Sequence, residues 1–448
     1  MIYIERFLYF FSSIFKLKYS EMSTDRKILF GLLSIILFIS FLRSMHDQIR
    51  YNSIDFRPRV TSARAFLDGM DPYNVNWSKD LSDRYLDPKE GHPPAPMRMV
   101  ITPPWILFNI IPAEAPYKLQ TWIWWMFSWL SILLSIILLA KSIQKKESRL
   151  LFVFISLLFF CSSYFWRLHL ERGQGYIVFT LLFSALLFNL SKNKLNKDQL
   201  IGIILGFLCI LRISYAPAIF FLLIFRKSKI FIWSIVTSLV LFLGSLSILG
   251  SDVWIRYFDS IGKWEERLLD PRQSILEFGH KKSYPTHAEG YDFTNFLPAQ
   301  GGNETLWVRL KDDFGISYDY HFNRYAVILI IIFVSLLCYK FRNIKNQNLI
   351  WFIILTTLFS FDYFLPQRNL YVNIIFLPVL ALFFNLSYKN YQLFGLLLSF
   401  FIGHSFLPFQ ESFIITWGKH LIFFFVLISL IISEIQELNK NKVKLKDG

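Results

Sequence analysis

Residues 117–140 read Tyr117-Lys118-Leu119-Gln120-Thr121-Trp122-Ile123-Trp124-Trp125-Met126-Phe127-Ser128-Trp129-Leu130-Ser131-Ile132-Leu133-Leu134-Ser135-Ile136-Ile137-Leu138-Leu139-Ala140, with Lys141 next. Between Lys118 and Lys141 there is no charged side chain. A hydrocarbon core of about 30 Å is crossed by about 20 helical residues. This stretch is long enough to span it.

The pattern recurs outward in both directions. Apolar runs of similar length lie at roughly 28–46, 150–166, 175–190, 230–249, 325–339, 349–365, 370–386, 393–408 and 413–433. The stretch 200–225 is apolar apart from Arg212 and contains Pro217. It is too long for one span and short for two, which predicts a tight pair of half-length helices. Composition agrees, with 54% hydrophobic residues, 49 Phe and only 18% charged residues in a 448-residue chain. Soluble domains carry about 25% charged residues, and such low polarity excludes intrinsic disorder. Three cysteines, Cys161, Cys209 and Cys338, sit inside apolar runs and read as small core residues, not a disulfide framework. The expected class is an all-α polytopic membrane protein of about twelve transmembrane helices.

Lys and Arg set the orientation. They outnumber Asp and Glu by 47 to 32, a net charge of +15. They crowd the segment before residue 28 and the connections 141–149, 191–199, 226–229, 340–348 and beyond 433, for example Lys16, Lys146, Lys192, Lys227, Lys340 and Lys440. Alternating spans place all of these on one side, the cytoplasmic side by the positive-inside rule. The basic excess is then a topology signal and argues against a nucleic-acid partner. The expected layout is a cytoplasmic interfacial segment 1–27, a membrane domain 28–433 and a cytoplasmic basic tail 434–448, in a plasma membrane. Phe7, Phe10, Phe11 and Phe15 among Arg6, Lys16 and Lys18 suit an interfacial helix. No cleavable signal peptide is evident.

Two long connections, 47–116 and 250–324, fall on the outer face. Long loops are usually functional or disordered, and stretches such as Asp252-Val253-Trp254-Ile255-Arg256-Tyr257 read as ordered. Arg167, His169, Glu171, Arg172, Arg212, Asp362, Arg368, His404 and Glu411 gather towards the outer ends of their helices. Ionisable groups are costly there and tend to be functional. They describe either a polar chamber under the two loops or simply wet helix ends.

The first outer loop contains Asp55-Phe56-Arg57-Pro58-Arg59-Val60-Thr61-Ser62-Ala63-Arg64-Ala65-Phe66-Leu67-Asp68-Gly69-Met70-Asp71-Pro72-Tyr73. Val60 to Leu67 is an amphipathic helical stretch, Gly69 suits its C-cap, and Asp71-Pro72 starts a turn. Asp55 either caps the helix or holds a carboxylate over the membrane chamber.

An Asp, a short amphipathic helix and then Gly-x-Asp-Pro-Tyr resemble the first periplasmic loop of glycosyltransferase family 87. Thr102-Pro103-Pro104-Trp105 with Ile111-Pro112, Gly173-Gln174 at a helix start, and Leu211-Arg212-Ile213-Ser214-Tyr215-Ala216-Pro217 are similar to later family segments, with Arg where Lys is common. The likeness runs in order over about 50–225 and more loosely to 390. One segment departs: Leu365-Pro366-Gln367-Arg368-Asn369-Leu370-Tyr371 stands where the family has aromatic-x-x-His.

The resemblance implies a GT-C-like bundle that moves mannose or another hexose from a polyprenyl-phosphate donor to an acceptor hydroxyl of a glycolipid or glycan on the outer face, without a cofactor. A pyrophosphate-linked donor is the nearest variant of this reading. A lipid or polysaccharide transporter or flippase is the alternative from another class, for which inverted repeats would be the mark. Transfer chemistry needs a base for the hydroxyl and cations for the leaving phosphate. Asp55 is the candidate base. Arg212 is the first candidate for the phosphate, or else snorkels to the outer headgroups. Arg172, Gln174 and Arg368 are further substrate-binding candidates. Tyr73, Trp77, Trp105 and Trp254 stack on sugars or form an interface belt. His280, His287, Glu289, Asp292 and His321 have no tight metal spacing, so no metal site is expected. Asn76-Trp77-Ser78 and Asn303-Glu304-Thr305 match the glycosylation sequon, as three-residue patterns do by chance.

Overall fold

A computed structural model of the chain describes residues 24–73, 83–86, 101–192, 196–269, 287–288, 291–292, pieces within 305–319, and 321–365, 368–403 and 420–436. The 1–20 segment, Trp77, His280, Glu289, His404, Glu411, the asparagines of both sequons and the basic tail beyond 436 lie outside the described residues.

The described chain is helical almost throughout. Its helices are α1 (Thr24–Tyr51), α2 (Arg57–Leu67), α3 (Asp83–Leu86), α4 (Pro104–Ile110), α5 (Tyr117–Ser142), α6 (Lys146–Ile155), α7 (Tyr164–Arg172), α8 (Tyr176–Leu190), α9 (Lys197–Leu211), α10 (Pro217–Ile224), α11 (Ser228–Leu249), α12 (Ser251–Leu269), α13 (His321–Lys340), α14 (Gln347–Phe361), α15 (Leu377–Asn385), α16 (Asn390–Gly403) and α17 (His420–Gln436). His287–Ala288 and Tyr291–Asp292 make one antiparallel pair of two-residue strands.

Four helices are long and apolar enough to cross a membrane: α1 from Gly31, α5, α11 and α13. A fifth span results if α6, continued to Phe160, and α7 form one broken crossing bent by 59°. Shorter apolar helices, Tyr176–Leu190, Ile213–Ile224, Leu370–Asn385 and His420–Gln436, account for further runs. The expected count of about twelve full spans therefore differs from the four or five found among the described residues. Several runs that look continuous in sequence are interrupted in space. The 150–166 run passes through a π-turn at Ser156–Phe160 and leaves the helix at Cys161. Ser163 then caps α7, its Oγ accepting from Trp166 N at 3.1 Å. Ser40 Oγ donates to the Cys161 carbonyl at 2.6 Å. Where no water reaches the backbone, such a freed carbonyl must find a donor.

Outward faces of the long helices are apolar, as lipid contact requires. Leu239, Val240 and Leu243 on α11 and Leu329, Phe333 and Leu336 on α13 are exposed. Hydroxyls within the helices turn back on their own turns: Ser135 Oγ donates to Ser131 O at 2.7 Å and Ser184 Oγ to Thr180 O at 2.6 Å. Between α9 and α11 the backbones nearly touch. A Cβ on Gly202 would lie 2.7 Å from Ile230 O, and one on Gly206 2.5 Å from Ser234 O. This is the small-residue spacing that lets membrane helices pack closely, and Ser238 Oγ exploits it by donating to Gly206 O at 3.0 Å.

Gly206→Val should therefore separate α9 from α11 and cost about 1–3 kcal/mol, as overpacking does. The thermal midpoint of the purified protein reads this loss. Gly244, with nothing within 4 Å of its added Cβ, is the control, and an equal fall for Gly244→Val would contradict the packing argument.

Candidate active site

The backbone that presents Asp55 is held in an unusual shape. After α1 ends at Tyr51, Asn52 and Ser53 both adopt left-handed conformations, with φ of 52° and 54°. Non-glycine residues rarely do this, and it persists only where surroundings enforce it. Thr121 Oγ1 donates to Asn52 Oδ1 at 2.7 Å, Tyr117 Oη to Ser53 O at 2.9 Å, and Ser53 Oγ to Gln48 Oε1 at 2.8 Å. A 3-10 turn, Ile54–Phe56, then leads into α2. That helix starts at Arg57 rather than Val60, its N-cap is Phe56, and no side chain caps it. The capping reading of Asp55 is thereby corrected. At the other end Gly69, with φ 74°, closes α2 as expected.

Asp55 turns instead towards the α7–α8 turn. Gln174 Nε2 donates to Asp55 Oδ2 at 2.6 Å, and Arg172 Nη1 lies 3.5 Å from Oδ1. The Asp55 side chain is 35% exposed. The Gly173-Gln174 pair sits in the turn itself, between the end of α7 and the start of α8 at Tyr176. Gly173 has φ 64°, and a Cβ there would lie 2.6 Å from Ser53 Cβ and 2.9 Å from Phe56 Cβ. A glycine at this point is what lets the Asp55 segment approach Gln174. Beside them Glu171 is fully buried, 3.9 Å from Arg172 Nε, and its oxygens have no hydrogen-bond partner among the described residues.

Sequence reasoning missed Arg59. Its Nη1 donates to Gly173 O at 3.0 Å, and its guanidinium carbon lies 5.5–5.7 Å from the ring centroids of Phe56, Trp105 and Trp124. Burial pulls this guanidinium down to about 10, while the charge of Asp55 acts in the opposite direction. The only signal was its place one helical turn after Asp55; the aromatic cage comes from α4 and α5.

Arg212 ends α9. Its Nε donates to Ser214 Oγ at 3.0 Å and its Nη2 to Asp362 Oδ1 at 2.6 Å. It points inward to this buried acid rather than snorkelling outward, with Tyr176 and Tyr215 rings 4.9 and 5.2 Å from its guanidinium carbon. Thr102 Oγ1 and Trp105 Nε1 both donate to Leu211 O, at 3.1 and 3.3 Å, so the Pro-Pro segment clamps the same helix end. Tyr176 packs 5.8 Å from Tyr371, and Tyr371 lies in the field of Asp55. The Tyr176 ring is thus shared between the Arg212 guanidinium and the Tyr371 ring. Arg368 is buried, donates to Asn373 Oδ1 at 2.6 Å, and stacks 4.1 Å over Tyr363.

A comparison with known families matches residues 102–366, more than half of the chain, to the model of glycosyltransferase family 87. The chain belongs to glycosyltransferase family 87. Its activity class is accordingly that of a membrane glycosyltransferase. No curated protein and no solved structure matches it. The stretch matched to family 87 carries Arg172, Gln174, Arg212 and Asp362, whereas Asp55, Arg59, Tyr73 and Arg368 lie outside it. Tyr73 is not brought to the Asp55 cluster. Its ring is 0% exposed, packs 5.7 Å from Tyr257, and its Oη donates to Ile101 O at 3.0 Å. Trp105 and Trp254 are buried as well, Trp254 Nε1 donating to Ser245 Oγ at 3.1 Å. Among the described residues no three His, Cys, Asp or Glu side chains gather as a metal set.

Proposed function

We propose that this family 87 enzyme moves a hexose, mannose in the first instance, from a polyprenyl-phosphate donor to a hydroxyl of a glycolipid or glycan. The reaction is placed on the outer face of the plasma membrane, in a GT-C arrangement whose loops 47–116 and 250–324 lie on that side. The observation that carries this reading is the Asp55 carboxylate: it caps no helix, stays partly open to solvent, and is steadied by Gln174 at 2.6 Å. A carboxylate has about four acceptor positions, which leaves room for a substrate hydroxyl. In the step, the acceptor oxygen attacks the anomeric carbon of the donor sugar and Asp55 takes its proton. The anomeric carbon–oxygen bond to phosphate breaks, and polyprenyl phosphate leaves with the electron pair. Arg212 is assigned to the phosphate and Arg368 supports it, while Arg172 and Gln174 orient Asp55. Tyr73, enclosed in the core, is assigned to packing of the first loop and not to the sugar.

The purified chain in liposomes, given radiolabelled polyprenyl-phosphate hexoses and a membrane lipid extract, tests the class of reaction. The expected result is label on an acceptor and an equal amount of polyprenyl phosphate released. Label crossing the bilayer on an intact donor would make the chain a transporter. For Arg212, lysine is the informative replacement, since alanine strands Asp362 as an unpaired buried charge at a cost of about 3–5 kcal/mol. Arg212→Lys keeps a charge but loses the fork, so donor KM should rise roughly tenfold or more with a smaller change in kcat. A drop in kcat at unchanged donor KM would take the phosphate away from Arg212.

A further inference from the structure

Arg212 and Arg172 each face a carboxylate, Asp362 at 2.6 Å and Asp55 at 3.5 Å. Arg59 does not: among the described residues no carboxylate oxygen lies within 4 Å of its guanidinium. The residue is only 6% exposed. Of its five N–H donors, one is used, from Nη1 to Gly173 O at 3.0 Å. Nε and Nη2 donate to nothing among the described residues, and both keep a little accessible surface. The faces of Phe56, Trp105 and Trp124 offset part of the cost of burying this charge. A buried charge without a counter-ion remains unfavourable.

The free side of the guanidinium is turned to the start of α8. A Cβ on Gly175 would lie 3.3 Å from Arg59 Nη2 and 3.3 Å from Trp105 Cη2, so the glycine lets the guanidinium come against the backbone. Gly175 is the N-cap of this 15-residue helix and supplies no side-chain cap. Its carbonyl takes the Val178 N–H at 3.0 Å, whereas the N–H groups of Gly175, Tyr176 and Ile177 meet no acceptor among the described residues. An uncapped helix start beside an unmatched guanidinium is an arrangement that binds anions. It adjoins the base, since Gln174, the residue before Gly175, donates to Asp55 Oδ2 at 2.6 Å. On its other flank the Tyr176 ring lies 4.9 Å from the Arg212 guanidinium carbon.

We propose that Arg59 and the first N–H groups of α8 seat the phosphate oxygens of the departing polyprenyl phosphate, which makes Arg59 a further catalytic residue. The inference rests on the transferase reading above. As the bond from the anomeric carbon to the phosphate oxygen breaks, the phosphate keeps the electron pair and its charge rises from one to two. Arg212 holds the phosphate of the intact donor, and Arg59 meets the charge that develops as the bond breaks. Attraction scales with the product of the charges. Losing the Arg59 charge therefore costs the doubly charged product more than the singly charged donor.

The experiment binds polyprenyl-phosphate mannose and polyprenyl phosphate separately to the full-length protein in phosphatidylcholine nanodiscs, with affinity read by ligand-induced thermal stabilisation. At pH 8 a phosphate monoester carries nearly two charges. Arg59→Gln should weaken polyprenyl phosphate roughly tenfold or more and the donor distinctly less. Single-turnover transfer should slow about 10²–10³-fold, and Arg59→Lys should recover part of both losses. Gly175→Ala leaves the charge in place but sets a methyl against Nη2, at a φ of −88° that accommodates alanine. It should also weaken the product more than the donor, and it serves if Arg59→Gln fails to fold. An Arg59 that merely clamps Gly173 O predicts equal losses for both lipids, and equal losses overturn the proposal. Phosphatidic acid carries the same monoester on another lipid and should compete poorly. Competition from it equal to that of polyprenyl phosphate would make this a site for membrane headgroups and would also overturn the proposal. Wild type that binds neither polyprenyl lipid would overturn the transferase reading itself, an outcome distinct from equal losses in the variants.

Discussion

Asp55→Asn should lower turnover by about 10²–10⁴-fold, equivalent to about 3–5 kcal/mol of barrier at 1.36 per decade. The protein should still fold. Asparagine keeps a carbonyl oxygen to accept from Gln174 Nε2, and α2 has no side-chain cap to lose. What goes is the ion pair with Arg172, 3.5 Å long and partly exposed. Pairs of that kind contribute about 0–1 kcal/mol, so the thermal midpoint should barely move. Donor affinity should also hold, because the phosphate is assigned to Arg212, which bonds Asp362 and Ser214 and not Asp55. Steady-state turnover and thermal unfolding on one preparation separate chemistry from structure. A fall in both together would mean that the carboxylate supports the fold.

Gly173→Ala should be the most damaging small substitution near the site. Its φ of 64° suits glycine, and the left-handed conformation costs other residues about 1–2 kcal/mol. The new Cβ also meets Ser53 Cβ at 2.6 Å and Phe56 Cβ at 2.9 Å, an overpacking worth about 1–3 kcal/mol more. The sum is about 2–5 kcal/mol. Since the clash pushes on the segment that carries Asp55, and Gln174 is the next residue, activity should fall even at temperatures where the variant stays folded. Adding Ser53→Gly removes the nearer contact and suits φ 54° at that position, so the double variant should recover part of both losses. An unchanged midpoint in Gly173→Ala would contradict the close approach.

The membrane class was readable in the charge-free run before Lys141, because hydrocarbon tolerates little else. The number of crossings was not. Ser163 and the π-turn before it break a helix that hydropathy shows as continuous, and serine hydroxyls satisfy the broken backbone. At the site, Asp55 and Gly173-Gln174 stood out by order and spacing, yet their contact with each other depends on a left-handed turn at Asn52 and Ser53. Asparagine tolerates that conformation, but nothing in the sequence marks two such residues in succession, so the capping alternative for Asp55 is open at that level. Arg212 was legible as a lone charge in an apolar stretch. Its partner Asp362 lies 150 positions later, a separation that local reasoning does not bridge. Arg59 is hard to read locally because its aromatic cage joins Phe56, in the turn before its own helix, to Trp105 of α4 and Trp124 of α5. Tyr73 misled in the other direction: the turn at Asp71-Pro72 exists, its Oδ1 accepting from Tyr73 N at 2.9 Å, but the ring it projects enters the core.

The most direct test is a single-turnover experiment with radiolabelled polyprenyl-phosphate donor bound in advance to wild type and to Asp55→Asn, followed by rapid addition of acceptor. If Asp55 is the general base, both proteins hold the same amount of donor, wild type transfers its label, and the variant transfers roughly 10²–10⁴-fold more slowly. Transfer at the wild-type rate from donor-loaded Asp55→Asn would contradict that role.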